Sequence, residues 1–232
     1  MRLAPVALIL LAASWGLAFV IMKDSIERQS VNSFLFTRFA FALIFLIAFR
    51  PTVFRLITKD LFLKAFVAGL LLGGGFIFQT EGLARTGAAI TGFVTGLYVV
   101  VTPLISALIL RKKISLFTWG CVALATLGLA LLSLRGWSMG FGEFLVLLCA
   151  VAFGAHIVAL GQWSAGRDVY AMTTIQLFAV TVLTGGFAFA EGYQAPPDSG
   201  VWAVVIFTAI VCTSFGFIIQ TWAQAHIDST KV

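Results

Sequence analysis

Long apolar runs alternate along the chain with short connections that carry glycine, proline or charged residues. An α-helix needs about 20 mostly apolar residues to cross the hydrocarbon core of a bilayer, so each run of that length predicts a span. The pattern predicts eight complete spans, at residues 4–22, 33–49, 64–84, 88–110, 116–134, 142–162, 170–190 and 201–224. A signal peptide is the alternative for the first run, but that run continues to Met22 and another span follows closely.

The composition excludes a water-soluble domain. Of the 232 residues, 61% are hydrophobic and 10% are charged, and the mean hydropathy is +1.07. Soluble domains carry roughly 25% charged residues, and a soluble globule of the present composition would lack polar residues to cover its surface. We therefore predict an all-α integral membrane protein in contact with the lipid bilayer.

The basic residues predict how the spans are oriented. The net charge of +6 does not indicate a nucleic-acid partner, because lysine and arginine form short clusters between the spans. Nine of them fall on one side of the predicted membrane: Arg2, Arg50, Arg55, Lys59, Lys64, Arg111, Lys112, Lys113 and Arg167. Four fall on the other side: Lys23, Arg28, Arg85 and Arg135. Since the richer side is normally cytoplasmic, we predict a multi-pass protein of the cell (inner) membrane with its N-terminus in the cytoplasm.

The second half of the chain repeats the first. GFIFQT at residues 75–80 matches GFIIQT at residues 216–221, and six of ten positions are identical over 75–84 against 216–225. Nearer the start of each half, Trp15 corresponds to Phe153 and Arg38 corresponds to Gln176. Because the first unit holds five spans, the second unit begins on the opposite side of the membrane and is inverted. Inverted repeats are typical of transporters with a binding site at the midplane.

Several features, taken in order, resemble the EamA-type branch of the drug/metabolite transporter superfamily. They are Trp15-Gly16 in the first span, Arg38 in the second, Gln79 in the third, Pro103 in the fourth and the basic turn at 111–113. The resemblance implies two inverted five-helix repeats, at 1–138 and 139–232 here, and secondary transport of small metabolites. It also implies ten spans, and the counterpart of residues 91–136 would lie beyond Val232. We therefore expect the chain to be a fragment with an incomplete second repeat, inactive unless a partner supplies two helices.

Polar residues within the spans are the candidate solute-binding groups, because an unpartnered polar group in the membrane costs a few kcal/mol. Gln79 and Gln220 hold equivalent repeat positions and offer amide donors and acceptors to a polar solute, or they only join helices. Tyr98 adds an aromatic hydroxyl, Trp15 an aromatic wall, and His156 a group that titrates near physiological pH. The alternative for His156 is a neutral histidine bonded to a neighbouring helix.

Arg38 is the costliest of the intramembrane groups. We predict a fixed structural charge, paired with Glu81 or extended to the membrane interface, in preference to a solute contact. The three cysteines, Cys121, Cys149 and Cys212, lie inside apolar runs, which supports neither a disulfide framework nor a metal site. The sequence contains no recognisable site for a nucleotide or a prosthetic group, so we expect no cofactor.

The sequence leaves two alternatives to transport. GWSMG at residues 136–140 fits the GxSxG pattern of serine hydrolases, but that pattern requires a strand that leads into a helix, and here it joins two predicted spans. A membrane enzyme is therefore a remote alternative. A non-transporting partner subunit is the other alternative. For a transporter, the partners would be a small solute and a coupling proton, with a homodimer left open.

The charge asymmetry makes a prediction about topology. Reporter fusions that are active on only one side of the membrane should give opposite results at Lys113 and at Gly140, because the predicted span 116–134 lies between them. The same result at both positions would contradict the assignment of the spans and the inversion of the second repeat.

Overall fold

The structure is a computed structural model, and it describes residues 4–111, 115–133 and 140–226. The described residues form α-helices, one short 3₁₀ helix and one π-helical segment, and they contain no β-strand. In the first half the helices are α1 (Ala4–Arg28), α2 (Val31–Phe49), a 3₁₀ helix (Pro51–Leu56), α3 (Lys59–Arg85), α4 (Ala88–Gly96), α5 (Tyr98–Leu110) and α6 (Leu116–Ser133). In the second half they are α7 (Phe141–Trp163), α8 (Val169–Ala190), α9 (Ser199–Phe207), the π segment (Thr208–Phe215) and α10 (Gly216–His226).

The prediction of an all-α membrane protein is confirmed. Seven helices or helix pairs in the described chain are long and apolar enough to cross a bilayer. Large apolar side chains such as Leu108 and Leu131 are exposed on the outside of the bundle, where lipid would cover them. The predicted span 116–134 falls on α6, of which Leu116–Gly128 is a shorter apolar helix. The predicted first span continues as a helix to Arg28, past its expected end at residue 22.

The extension of α1 has a physical reason. The Lys23 ammonium donates hydrogen bonds to the carbonyl oxygens of Leu83, at 2.8 Å, and Ala84, at 3.0 Å. These carbonyls belong to the last turn of α3, where backbone acceptors lack partners within the helix. The polar end of α1 therefore continues as a helix by satisfying the C-terminal end of α3.

Two predicted spans are locally irregular. The span 88–110 is interrupted at Leu97, between α4 and α5, next to Gly96 and six residues before Pro103. Glycine and proline are the usual causes of such breaks. The span 201–224 contains the π segment, which the apolar pattern did not predict.

Ion pairs join the connecting segments at the two ends of the bundle. Asp60 lies 2.7 Å from Arg167 and 2.6 Å from Lys64, and all three belong to the side with nine predicted basic residues. On the opposite side, Arg28 pairs with Asp198. The grouping of the basic residues therefore agrees with their positions in the fold.

Helix α3 is the central element, and it packs along α7 and α8. Its close approach to α8 depends on Gly69, where a Cβ atom would lie 2.6 Å from the carbonyl oxygen of Gln176. Gly74, on another side of the same helix, has no atom within 4 Å of the place a Cβ atom would occupy. Small residues at such contacts let helix backbones approach each other closely in membranes.

These two glycines give a prediction about stability. Gly69→Ala should lower the free energy of unfolding by about 1–3 kcal/mol, because the backbone of α8 would have to move away. Gly74→Ala should leave it unchanged or raise it slightly, since alanine favours the helix. Thermal unfolding of the purified variants in detergent measures the difference. Equal unfolding temperatures would contradict the close α3–α8 contact.

Candidate functional site

A cavity of about 340 Å³ lies at the centre of the bundle, between α1, α2, α3, α4, α5, α7 and α10. Ligand sites in proteins typically have volumes of about 300–1,000 Å³ and are mostly apolar with a few placed polar groups. The structure brings together all of the candidate residues named from the sequence, and each of them lines this cavity: Trp15, Arg38, Gln79, Tyr98, His156 and Gln220.

Aromatic side chains from the two repeats cross one another beside the cavity. The ring of Trp15 lies 5.8 Å from that of Phe217, and the ring of Phe153 lies 5.3 Å from that of Phe76. These pairs are equivalent in the repeat, since Trp15 corresponds to Phe153 and Phe217 to Phe76. The rings of Phe76 and Phe217 are themselves 5.9 Å apart and edge to face. An aromatic of the first span in each repeat thus packs on the third span of the other.

The repeated glycines make room for these aromatics. A Cβ atom on Gly75 would lie 2.3 Å from the ring of Phe153, and one on Gly216 would lie 3.3 Å from Nε1 of Trp15. The GF pair at the start of each repeated motif therefore has a structural role. The glycine admits the aromatic of the other repeat, and the phenylalanine packs against it.

The repeated glutamines face the cavity from opposite repeats, and both are buried within the protein. The side-chain amide nitrogen of Gln79 donates to the hydroxyl of Thr95, at 3.2 Å. The carbonyl oxygen of Gln220 has no hydrogen-bond partner among the described residues. A buried amide oxygen without a partner is costly, so the Gln220 oxygen is a group that a hydrogen-bond donor would stabilise.

Arg38 is buried at the cavity wall rather than extended to the membrane surface. Its Nε donates to the hydroxyl of Thr213, at 2.9 Å, and its Nη1 lies 3.4 Å from Sδ of Met22. The guanidinium carbon lies 5.3 Å from the ring centre of Phe39 and 5.1 Å from that of Phe76. The charge is therefore held in place by a hydroxyl and by two aromatic faces.

The predicted partner of Arg38 was wrong. Glu81 instead bonds to Arg85, four residues later on α3. Such i,i+4 pairs need no tertiary contact, and this one occupies Glu81 at the end of α3. The sequence did not reveal that a hydroxyl, from Thr213, would meet the arginine.

The π segment makes hydrogen bonds to both α1 and α2. Nε1 of Trp15 donates to the carbonyl oxygen of Cys212, at 2.8 Å. The hydroxyl of Ser214 lies 2.9 Å from the carbonyl oxygen of Ala209, five residues earlier, and 3.3 Å from that of Ala42 on α2. Short π segments often occur at functional sites. The ring of Trp15 lines the cavity, while its N–H group holds α1 to the π segment.

His156 has the helix-to-helix partner that the sequence left as an alternative. Its Nε2 lies 2.7 Å from Oε1 of Gln176 on α8. The amide nitrogen of Gln176 donates to the carbonyl oxygen of Met172, so the Gln176 oxygen faces the ring and must accept from Nε2–H. This leaves Nδ1 as the acceptor of a neutral ring.

Tyr98 begins α5 directly after the interruption at Leu97, and it lines the cavity. The structure adds Phe19, Met22, Thr95 and Phe153 to the lining. The apolar ones could not be found from the sequence, because apolar residues occupy most positions of every span. The GxSxG segment at 136–140 falls almost wholly outside the described residues.

The chain is similar to known transport proteins. The sequence profile of the EamA-like transporter family matches residues 2–134 and again residues 140–232. The chain is 32% identical over 228 residues to an uncharacterized transporter of Archaeoglobus fulgidus, and the match covers 98% of this chain and 71% of the relative.

The fold is also similar to one that has been solved by crystallography. The TM-score is 0.68 at 21% sequence identity, and the match covers 98% of this chain and 80% of the other. At this level of identity the likeness concerns the arrangement of the helices.

Proposed function

The chain belongs to the EamA-like transporter family, and from that premise we propose a secondary transporter. It moves small metabolites, such as amino acids or amphiphilic compounds, across the inner membrane by alternating access. The solute binds in the central cavity, against Trp15, Gln79, Tyr98, His156 and Gln220. The N-terminus lies in the cytoplasm, and the two repeats are residues 1–138 and 139–232.

The observation that carries the proposal is the position of the two equivalent glutamines. Gln79 and Gln220 line one cavity of a multi-pass membrane protein, one from each repeat. A pair of glutamines that only joined helices would be expected to bond to each other or to the neighbouring backbone. Instead, the Gln220 oxygen has no partner among the described residues. The amide of Gln224 also lacks one, so the position of Gln220 at the cavity is what supports a solute contact.

The two aromatic pairs provide a structural mechanism for alternating access. Trp15 with Phe217, and Phe153 with Phe76, are equivalent contacts on two sides of the cavity. If one pair separates while the other stays closed, the cavity opens to one side of the membrane. The inverted repeat makes the opposite arrangement similar in backbone structure, so the two states can exchange.

The alternative functions have less support. An intramembrane hydrolase would need a nucleophile and a base in contact, and His156 instead bonds to Gln176. A partner subunit without transport would not need a cavity lined by amides and a buried arginine. We therefore propose that the protein is not an enzyme.

Replacing either glutamine tests the solute site. Gln79→Leu and Gln220→Leu should each lower solute flux at least about tenfold, because a buried hydrogen bond to the solute is lost. The assay uses proteoliposomes loaded with the amino acids, indoleacetate and tryptamine, and mass spectrometry follows the loss of each compound. Both variants should still elute from size exclusion as folded protein, because leucine is well tolerated in lipid.

Gln224 provides the matched control. It is buried on α10, one turn beyond Gln220, and its amide group has no partner among the described residues, but it does not line the cavity. Gln224→Leu should therefore retain flux. Equal flux by all three variants would contradict the proposed site, and flux no faster than that of protein-free vesicles would contradict transport by the chain on its own.

Proton coupling is proposed at His156. If the imidazole carries the coupling proton, His156→Ala should flatten the pH dependence of flux, because His156 is the only histidine among the described residues that line the cavity. His226→Ala, which removes the other histidine of the chain, is the control. An unchanged pH profile of the His156 variant would leave His156 with only its bond to Gln176.

A further inference from the structure

The cavity contains a fixed positive charge that no described carboxylate neutralises. Arg38 is buried, and its hydrogen bonds go to a hydroxyl and a thioether sulfur. No ion pair of Arg38 occurs among the described residues, and its Nη2 atom makes no hydrogen bond there. Buried charges in proteins are normally paired, so the open edge of this guanidinium lacks an anion.

The other residues that line the cavity also favour an anion over a cation. Of the described residues that line the cavity, none is an aspartate or a glutamate. A cationic solute would therefore meet the charge of Arg38 without a compensating carboxylate. The aromatic faces of Phe39 and Phe76 are already occupied by the guanidinium, which makes them poorer sites for a second cation.

The rest of the cavity suits an apolar body. Trp15, Phe19, Phe153 and Phe217 form aromatic walls, and the amides of Gln79 and Gln220 add neutral polar groups. The cavity volume of about 340 Å³ lies at the small end of ligand sites. A compact solute with one charged end and one aromatic or branched apolar end would satisfy both parts of the lining.

We propose that the cavity binds small amphiphilic organic acids, with the oxyanion group on the free edge of the Arg38 guanidinium and the apolar body among the aromatic side chains. This assignment of solute class rests on the proposed transport function. Thr213 and the two phenylalanine rings position the arginine, because they hold its Nε edge and its faces and leave the Nη2 edge towards the cavity. The guanidinium can offer parallel N–H donors to a carboxylate, which an ammonium cannot.

Two matched sets of ligands test the charge preference. Each keeps one apolar body and changes the polar end: hydrocinnamate, hydrocinnamamide and phenylpropylammonium, and then indoleacetate, indoleacetamide and tryptamine. Calorimetric titration of the purified chain in a neutral detergent measures each affinity. Both acids should bind at least about tenfold more tightly than their amides, because a charged hydrogen bond is replaced by a neutral one. The ammonium compounds should bind most weakly.

Variants at Arg38 connect the preference to this residue. Arg38→Gln should bind acid and amide equally, whereas Arg38→Lys should keep a smaller preference because it keeps the charge. Arg85→Gln removes a positive charge at the exposed end of α3, outside the cavity, and should behave like the unaltered chain. If Arg38→Gln elutes as aggregate, the ligand sets with the unaltered chain and with Arg38→Lys decide the question.

The proposal is overturned if neither acid binds, if acid and amide bind equally to the unaltered chain, or if Arg38→Gln keeps the full preference. Proteoliposome flux separates this result from the transport proposal. Preferred binding of the acids without flux would contradict transport by the chain on its own and leave the anion site standing. Flux of tryptamine equal to that of indoleacetate, without an acid preference in binding, would support transport and contradict the anion site.

Discussion

The edge-to-face contact between Phe76 and Phe217 joins the two repeats beside the cavity. These two residues hold equivalent positions in the repeat, so each half of the protein contributes the same position to this contact. Trp15 and Phe153 pack on this pair from opposite sides, and Gly75 and Gly216 leave the space that they need. The cavity remains beside these four aromatic side chains, all of which line it.

This arrangement explains why the internal repeat is visible in the sequence. Most apolar positions of a span can exchange leucine, valine or isoleucine, because lipid and apolar neighbours accept each of them. The GF and QT pairs are constrained by the approach of the other repeat and by the cavity. Self-comparison of the sequence therefore located the central faces of α3 and α10, although it contained no information about their distance. The spans were predictable because a bilayer imposes their length and composition.

Other features depended on contacts that a one-dimensional pattern does not contain. At the π segment, Trp15 donates to the backbone carbonyl of Cys212, and Ser214 donates to the backbone carbonyl of Ala42 on α2. The residues of this segment are as apolar as those of a regular span, so the apolar pattern did not reveal it. The partner of Arg38 was misjudged for a similar reason. Glu81 offered a charge of the right sign, but Arg85 is its neighbour on the helix surface, and a local pair of this kind forms without any tertiary cost.

The two repeats correspond in sequence but differ in their polar contacts. In the first repeat, Arg38 bonds across to Thr213 of the second. The position equivalent to Arg38 is Gln176, and the position equivalent to Thr213 is Leu72, which has no hydroxyl to offer. Gln176 instead bonds to His156 within its own repeat.

This difference has a consequence for the proposed exchange of states. In an inverted repeat, the second access state is approached when each half adopts the conformation of the other. The position equivalent to His156 is Ala18, so Arg38 cannot acquire in its own repeat the partner that Gln176 has. In the proposed exchange, each access state would therefore leave a different polar side chain without a hydrogen-bond partner. The two states would then differ in free energy when the cavity is empty. A bound oxyanion that pairs with Arg38 in both states would reduce that difference, because the arginine would no longer depend on Thr213 alone. Binding of the solute would then be what allows the protein to pass from one access state to the other.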